Sequence, residues 1–146
     1  MLARNTTWTL SRDMALDLRF AAVTFYDGQG FLVPKSLNAR RAADLNGATV
    51  CVLGGTTTHF ALVDFARAKG LALRPAVFND WDEAKAAFFT GNRCKAFTSN
   101  ASQLASVRAS DAPRPETYDI LPDIISKNPL GPVVRRGDEE IGRAHV

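Results

Sequence analysis

Residue types that commonly hold metals are scarce in this sequence. Its 146 residues include two histidines and two cysteines, and Cys51 and Cys94 lack the short spacing of zinc ligands. We therefore expect no metal site and no cofactor. Two cysteines are also too few for a disulfide scaffold. Each is either a small buried apolar residue or half of a single disulfide, which would need an oxidising compartment, and the sequence leaves both interpretations open.

Long apolar runs and clustered charge are missing as well. Apolar runs such as 20–23 and 50–53 are far shorter than the ~20 residues that cross a bilayer. The net charge is +3, but the basic residues are scattered, and aromatic residues do not alternate with them as in nucleic-acid binding surfaces. A hydrophobic share of 46% and a charged share of 23% indicate a globular domain, for which we expect no nucleic-acid partner.

The middle of the chain alternates strand and helix patterns. The first strand, 48–53, is a β-branched apolar run bounded by glycines. After it come a helix from Thr57 that stops at Gly70, a strand at 73–78, a helix capped by Asn79 or Asp80 that ends at Gly91, a strand at 95–98, a helix at 102–109 and a strand at 118–121. This alternation predicts a parallel sheet with helices on its faces.

Two extended segments flank this unit. One covers 20–33 and is interrupted by Asp27-Gly28. The other covers 124–134 and is interrupted by Asn128-Pro129 and Gly131-Pro132. Paired extended segments of this kind would suit two connections to a second lobe.

Ligands of open parallel sheets bind at the carboxyl ends of the strands, and two such places have suitable residues. The loop 54–58, Gly-Gly-Thr-Thr-Thr, combines backbone access with hydroxyl groups and a helix N-terminus, so a carboxylate-sized anion would fit. It lacks the phosphate-loop and dinucleotide motifs. A plain turn with a threonine N-cap explains the loop equally well. The second place, 98–100, is Thr-Ser-Asn, which also reads as an N-cap.

A third candidate element lies near the start of the chain. Arg12 offers a planar fork of donors that matches a carboxylate. Thr7 and Thr9 would share one face if this segment were extended. The alternative is a surface arginine beside a capping serine, Ser11.

Five segments carry a family resemblance when they are taken in order. They are RNTTWTLSR at 4–12, YDGQGF at 26–31, GATVCV at 47–52, GTT at 55–57 and ISKNPLGP at 125–132. In this order they resemble the polar amino-acid family of periplasmic solute-binding proteins, in particular its general L-amino-acid-binding branch. The resemblance covers nearly the whole chain up to Glu139.

The resemblance implies an α/β, type II periplasmic-binding-protein-like fold whose two lobes close on a ligand. Residues 1–34 would form part of the first lobe and a hinge crossing, and 35–124 the nearly complete second lobe with its parallel sheet. Residues 125–139 would be the second hinge crossing and the return to the first lobe.

The family's binding residues carry over to matching positions of this sequence. Arg12 would hold the ligand's α-carboxylate, assisted by the Thr57 hydroxyl and by backbone amides at Gly55 and Thr56. Thr7 and Thr9 would contact the α-amino group and carboxylate.

Two further sets of matching positions concern the cysteines and the amine-binding site. Cys51 and Cys94 fall where this branch has cysteines, which favours the disulfide. Asn100 stands where the family has an aspartate that pairs with the ligand ammonium, and Lys95 stands where a polar or acidic residue is expected. Either these two positions are sequencing errors or the ligand preference differs from the family's, and the sequence leaves both interpretations open.

The resemblance implies an extracytoplasmic binding component of an amino-acid ABC transporter, located in the periplasm and not an enzyme. Its partners would be an L-amino acid and the membrane permease subunits, and it would be a monomer. The alternatives are a periplasmic cyclohexadienyl or arogenate dehydratase-like enzyme and the ligand-sensing domain of a receptor.

The two ends suggest a fragment of a longer chain. Residues 140–146 resemble the translation of a sequencing adapter, and the start carries no targeting region. We expect a signal peptide to belong to the missing part, and the fragment alone to bind weakly or not at all.

Overall fold

The computed structural model describes residues 6–16 and 18–137. The predicted adapter segment, 140–146, lies outside the described residues, as do 1–5. The chain divides into two compact units. Unit 1 runs up to Asp27 and resumes at Lys127, and unit 2 is Gly28–Ser126. Two strands that pair with each other, β2 (Phe25–Pro34) and β7 (Ser126–Leu130), pass from one unit into the other.

Unit 1 contains a short helix and a two-stranded antiparallel ribbon. The helix is α1 (Leu10–Ala15), and the ribbon pairs β1 (Leu18–Phe20) with β8 (Val133–Arg135). Trp8 stacks on Phe20, with ring centroids 5.2 Å apart. This parallel stacking covers one end of the ribbon with apolar surface.

Gly131 is required by a close backbone approach in unit 1. A Cβ atom at this position would overlap the carbonyl oxygen of Ala22, which belongs to backbone and cannot turn aside. We therefore expect Gly131→Ala to destabilise the ribbon by about 1–3 kcal/mol, as overpacking does. Hydrogen exchange of the β1 and β8 amides should accelerate accordingly. Gly30→Ala is the control, because its Cβ would meet only ordinary contacts at 3.7 Å or more. Unchanged exchange in Gly131→Ala would contradict the predicted clash.

Unit 2 is a sheet with helices on both faces. Its remaining strands are β3 (Thr49–Leu53), β4 (Arg74–Phe78), β5 (Ala96–Asn100) and β6 (Tyr118–Ile120). Its helices are α2 (Thr57–Lys69), α3 (Trp81–Phe89) and α4 (Ala101–Ser110). The strand order is β4-β3-β5-β2-β6. The predicted alternation of strands and helices is confirmed.

The predicted parallel sheet is correct for three strands and wrong for the others. β3 pairs in parallel with β4 and β5, whereas β2 runs antiparallel to β5 and β6. The physical reason is the connection from β2 to β3. It contains two short 3₁₀ turns, Lys35–Leu37 and Ala42–Leu45, in place of an α-helix. β2 and β3 are not neighbours in the sheet, but without a helical crossover between them the chain can enter β3 in the direction opposite to β2.

Two predicted interruptions are also wrong. Asp27-Gly28 lies inside β2, and the break falls instead at 21–24. Gly28 serves close packing there, because a Cβ atom would approach the Ile124 side chain to 2.5 Å. Asn128-Pro129 lies inside β7, while Gly131-Pro132 separates β7 from β8 as predicted.

The core of unit 2 has two layers that follow the strand alternation. Val50 and Val52 face one layer, where they pack with Leu62 of α2. Cys51 faces the other, with Phe88 of α3 and Phe97 of β5. Period-2 alternation with both faces apolar explains why β3 reads as an unbroken apolar run.

Helix ends agree closely with the sequence signals. Gly70 adopts the left-handed conformation at the end of α2. Asp80 caps α3 by accepting from the Glu83 amide, which resolves the choice between Asn79 and Asp80. Thr90, and not Gly91, is the C-cap of α3. Among the described residues, no helix has the length and apolarity to cross a membrane.

Candidate ligand-binding site

The loop between β3 and α2 is held in place by its glycines. The Gly54 amide donates to the Phe78 carbonyl at 2.8 Å, and a Cβ atom there would press on Val77 at 2.8 Å. Gly55 has a φ of +67°, which favours glycine. The loop therefore turns sharply at the carboxyl end of β3 and leads directly into the first turn of α2.

The Thr56 hydroxyl makes all of its hydrogen bonds within the protein. It donates to the Leu53 carbonyl at 2.6 Å, and it accepts from the His59 amide at 3.3 Å as the N-cap of α2. Because its only proton is on Leu53, the 2.8 Å contact with Thr58 has the Thr58 hydroxyl as donor. The threonine-cap interpretation is thus correct for this side chain. Any ligand contact by Thr56 would have to come from its backbone.

Thr57 occupies the first position of α2 and is half-buried. The first N–H groups of an α-helix have no acceptor within the helix, and the helix dipole makes this end positive. Together with the Gly55-Thr56 backbone, this end of α2 is suited chemically to a carboxylate.

The polar triplet predicted at the next strand end belongs wholly to β5, and α4 starts one residue later. Asn100 stands at the N-cap position, but its side chain accepts no capping hydrogen bond. It is only 4% exposed. Ser99 donates to Gln103 at 2.8 Å. Asn100 is therefore a deeply placed amide whose role is not to cap α4.

Lys95 lies apart from the polar triplet. Its side chain is exposed, and its backbone amide donates to the Thr49 carbonyl at 2.8 Å as β5 begins.

Unit 1 contains the three candidates from the start of the chain. Arg12 lies in α1, and its Nη1 donates to the Thr7 carbonyl at 2.9 Å. Thr9 is the N-cap of α1 and accepts from the Arg12 amide at 3.3 Å. The capping residue is thus Thr9 and not Ser11, and the extended segment ends where α1 begins. Thr7 is 6% exposed and pairs with Leu130. The structure brings Arg12, Thr7 and Thr9 together around the first turn of α1.

Sequence reasoning missed Gln29 of β2, which is fully buried. Its side-chain nitrogen donates to the Thr58 carbonyl at 2.8 Å and to the Thr98 hydroxyl at 3.0 Å. Gln29 therefore links the start of α2 to β5, the two segments at strand ends that the sequence had singled out. A polar residue inside an otherwise buried strand was the available signal, but its glycine neighbours made the segment look like a turn.

Cys51 and Cys94 form a disulfide, with Cα atoms 5.6 Å apart. Cys51 lies in β3, and Cys94 lies just before β5, its parallel neighbour. The single-disulfide interpretation is confirmed. The bridge ties together the two strands whose carboxyl ends carry the candidate loops.

Among the described residues, the pKa is shifted for Asp44 and Lys85, and both shifts come from contacts that hold local structure. The Arg40 backbone amide, followed by that of Arg41, lowers the pKa of the exposed Asp44 carboxyl. Hydrogen bonds to Asp82 and then Asp111 raise the pKa of Lys85. These contacts hold a 3₁₀ turn and join α3 to the end of α4. The described residues contain no group of three or more side chains able to hold a metal ion.

Comparison with known proteins gives relatives that match nearly the whole chain. The general L-amino acid-binding periplasmic protein AapJ of Rhizobium johnstonii is 48% identical over 140 residues, which is 96% of this chain and 40% of the relative. The glutamate/glutamine/aspartate/asparagine-binding protein BztA of Rhodobacter capsulatus is 50% identical over 142 residues, covering 97% of this chain and 41% of the relative. The chain thus spans about two fifths of the length of these relatives. No protein-family model matches it.

Solved structures of other binding proteins superpose on this chain. An ABC transporter periplasmic binding protein from Brucella ovis, with glutathione bound, superposes with a TM-score of 0.92 at 44% identity, covering 97% of this chain and 44% of that one. An ancestral arginine-binding protein bound to arginine gives a TM-score of 0.74 at 25% identity, with 95% and 59% coverage. The predicted type II periplasmic-binding-protein fold class is confirmed. Over the residues matched, the chain is similar to periplasmic amino-acid-binding proteins of ABC transporters.

Proposed function

We propose that the complete protein carrying this chain is the extracytoplasmic binding component of an amino-acid ABC transporter and that it captures L-amino acids for import. The observation that carries the proposal is identity of 44–50% over 96–97% of the chain to proteins named for amino-acid binding. The matched region includes both units, and with them every candidate residue of the site.

The candidate residues suit the two charged groups that all α-amino acids share. Arg12 provides a guanidinium fork for the α-carboxylate, and the start of α2 adds amides and the Thr57 hydroxyl. Thr7, Thr9 and Asn100 offer acceptors for the α-ammonium group. The division into lobe segments 1–34, 35–124 and 125–139, with hinge crossings between them, belongs to the same proposal.

The ligand class is best defined by its head group. One relative is named for four acidic and amide amino acids, and one similar structure holds glutathione. Glutathione carries a free α-amino group and α-carboxylate on its γ-glutamyl residue. All of these ligands therefore share the same head group, an α-amino group and an α-carboxylate on one carbon. We infer that recognition by this protein centres on that head, and that the side chain sets the preference.

Partners and location follow from the same proposal. The protein would reside in the periplasm as a monomer and deliver its ligand to membrane permease subunits. An oxidising compartment suits the Cys51–Cys94 disulfide. The relatives are named as binding proteins, which supports a non-enzymatic role. The candidate residues are hydroxyls, an amide and a guanidinium, and none of these is a general acid or base suited to neutral pH.

A thermal-shift panel on the complete protein tests the function. Ligands that bind only the folded state stabilise it by about 2.7 kcal/mol at 100 times their Kd, so L-amino acids or glutathione should raise the Tm by several degrees. The D-amino acids should leave the Tm unchanged. No shift with any of these ligands, together with turnover of prephenate or arogenate, would replace the transport proposal with the enzymatic alternative.

Asn100→Asp should tighten binding of ligands that have a free α-amino group. A carboxylate at this position would pair with the ammonium, and charge-assisted hydrogen bonds are about twice as strong as neutral ones. A gain of about 1.4 kcal/mol corresponds to about 10-fold in Kd. Asn100 stands at the N-cap position of α4, where aspartate is a favoured residue, so we expect the variant to fold. Calorimetry with an amino acid and with its deaminated analogue is the measurement. Equal gains for both ligands, or no gain, would contradict the pairing.

A further inference from the structure

Gln29 is a fully buried amide in β2, an interior strand of the sheet of unit 2. In the antiparallel ladder of β2 and β5, it lies directly opposite Asn100. Residues opposite each other in such a ladder share a face, and so do residues two apart on one strand. Gln29, Thr98 and Asn100 therefore face the same layer, which is the layer covered by α2.

The orientation of the Gln29 amide is fixed by its neighbours. Its nitrogen faces the Thr58 carbonyl at 2.8 Å, and a carbonyl only accepts. The Thr98 hydroxyl donates its proton to the Gly30 carbonyl at 2.7 Å, so it must accept at its 3.0 Å contact with Gln29. The Gln29 oxygen accepts from the Ser126 hydroxyl at 3.3 Å. Both donors and the acceptor of this amide thus have partners of the correct kind.

These hydrogen bonds join the segments that carry the candidate site in unit 2. Thr58 follows Thr57 in the first turn of α2, Thr98 lies two residues before Asn100 in β5, and Ser126 begins β7. Apolar packing could hold α2 against the sheet at many small offsets, because it is not directional. A buried and fully satisfied hydrogen-bond network selects one arrangement.

We propose that Gln29 is a positioning residue for ligand binding, and the proposal rests on the function proposed above. It sets the start of α2 at a defined place and angle relative to the end of β5. Thr57 and Asn100 are thereby held in the arrangement that one amino-acid head group requires. Gln29 acts through these elements and does not itself need to touch the ligand.

Gln29→Met in the complete protein is the direct test. Methionine keeps the length and most of the volume of glutamine, but it loses both donors. Loss of two buried hydrogen bonds should raise the Kd for L-amino acids by about 10-fold or more. A merely structural role would lower the Tm and leave the Kd within about 2-fold of native, measured where the protein is fully folded.

Val50→Ala is the matched control. Val50 is buried in the same α2-facing layer, in the first half of β3 and away from the strand end that carries the candidate loop. It should lower the Tm through a small cavity while leaving the Kd within about 2-fold of native. If both variants weaken binding equally at equal loss of Tm, the effect is general destabilisation and the proposal is overturned.

Thr98 provides a second pair of variants in case Gln29→Met fails to fold. Thr98→Val keeps the shape of the side chain and removes the hydroxyl that accepts from Gln29, whereas Thr98→Ser retains it. The valine variant loses the hydroxyl's hydrogen bonds to Gln29 and to the Gly30 carbonyl, and it should weaken binding by about 5-fold or more, since one buried hydrogen bond contributes about 1 kcal/mol. The serine variant should restore most of the affinity. Equal affinity in both would overturn the proposal.

Hydrogen exchange of the ligand-free protein separates this inference from the proposed function. Gln29→Met should increase exchange of the α2 amides at 59–62 by about 10-fold, whereas Val50→Ala should affect the layer broadly. If the native protein binds no amino acid but this local effect is present, the proposed function fails and the positioning of α2 by Gln29 stands. If native binding is normal and the local effect is missing, the inference fails alone.

Discussion

Replacing Arg12 with alanine in the complete protein is expected to lower its affinity for L-amino acids by about 100-fold or more. Hydrogen bonds to charged groups contribute about 1.5–3 kcal/mol each, and a guanidinium makes two to a carboxylate. The arginine is already oriented by its 2.9 Å hydrogen bond to the Thr7 carbonyl. Little additional ordering is then needed when a ligand binds. Calorimetric titration measures the loss directly.

Two further variants separate the arginine fork from simple charge. Arg12→Lys keeps the positive charge but cannot form the planar bidentate pair, so we expect an intermediate loss. Arg19→Ala removes an exposed arginine from β1 of the same unit and should leave the Kd unchanged. An Arg12→Ala protein that binds as tightly as native would refute the assignment of the carboxylate to Arg12.

Reducing the Cys51–Cys94 disulfide is expected to destabilise the protein by about 4 kcal/mol. The bridge joins residues 43 apart in sequence, and the chain-entropy treatment of a loop of this size gives about 4 kcal/mol. Both cysteines are buried in the layer that also contains Phe88 and Phe97. The reduced chain therefore keeps its packing but gains conformational freedom when unfolded. Urea denaturation with and without a thiol reductant measures the difference.

The double variant Cys51→Ala/Cys94→Ala is the control for that experiment. Its urea midpoint should be lower than that of the oxidised native protein and should not respond to the reductant. If the native midpoint is also unaffected by full reduction, the bridge contributes no stability and the estimate is wrong. If reduction lowers the stability, the protein needs an oxidising compartment, which the proposed periplasmic location provides.

Local sequence signals predicted most of unit 2. The run from Thr49 to Gly70 combines a β-branched strand, a glycine turn, a threonine cap and a glycine stop, and each signal has a local physical cause. The direction of β2 could not be found this way. It depends on which strand β2 pairs with, and that pairing brings together residues about 70 apart in the chain. Asp27-Gly28 looked like a turn because local propensity cannot register the packing of Ile124.

The candidate site shows the same division between local and tertiary causes. The threonine cap of α2 was readable from the loop itself, and the structure assigns that role to Thr56. At Arg12 the sequence offered a capping serine, Ser11, whereas the helix starts at Leu10, two residues earlier than that cap would give, and uses Thr9. Gln29 escaped prediction because its partners come from three separate segments. Its importance depends on contacts that no single segment contains.

Isothermal titration of the complete protein with a panel of ligands would decide whether this protein captures amino acids. The panel would contain acidic, amide, basic and branched-chain L-amino acids, their D-enantiomers and glutathione. We predict saturable binding of at least one L-amino acid or glutathione, with one ligand per protein and no binding of the D-amino acids. Absence of binding heat for every member of the panel, in protein shown to be folded with its disulfide intact, would contradict it.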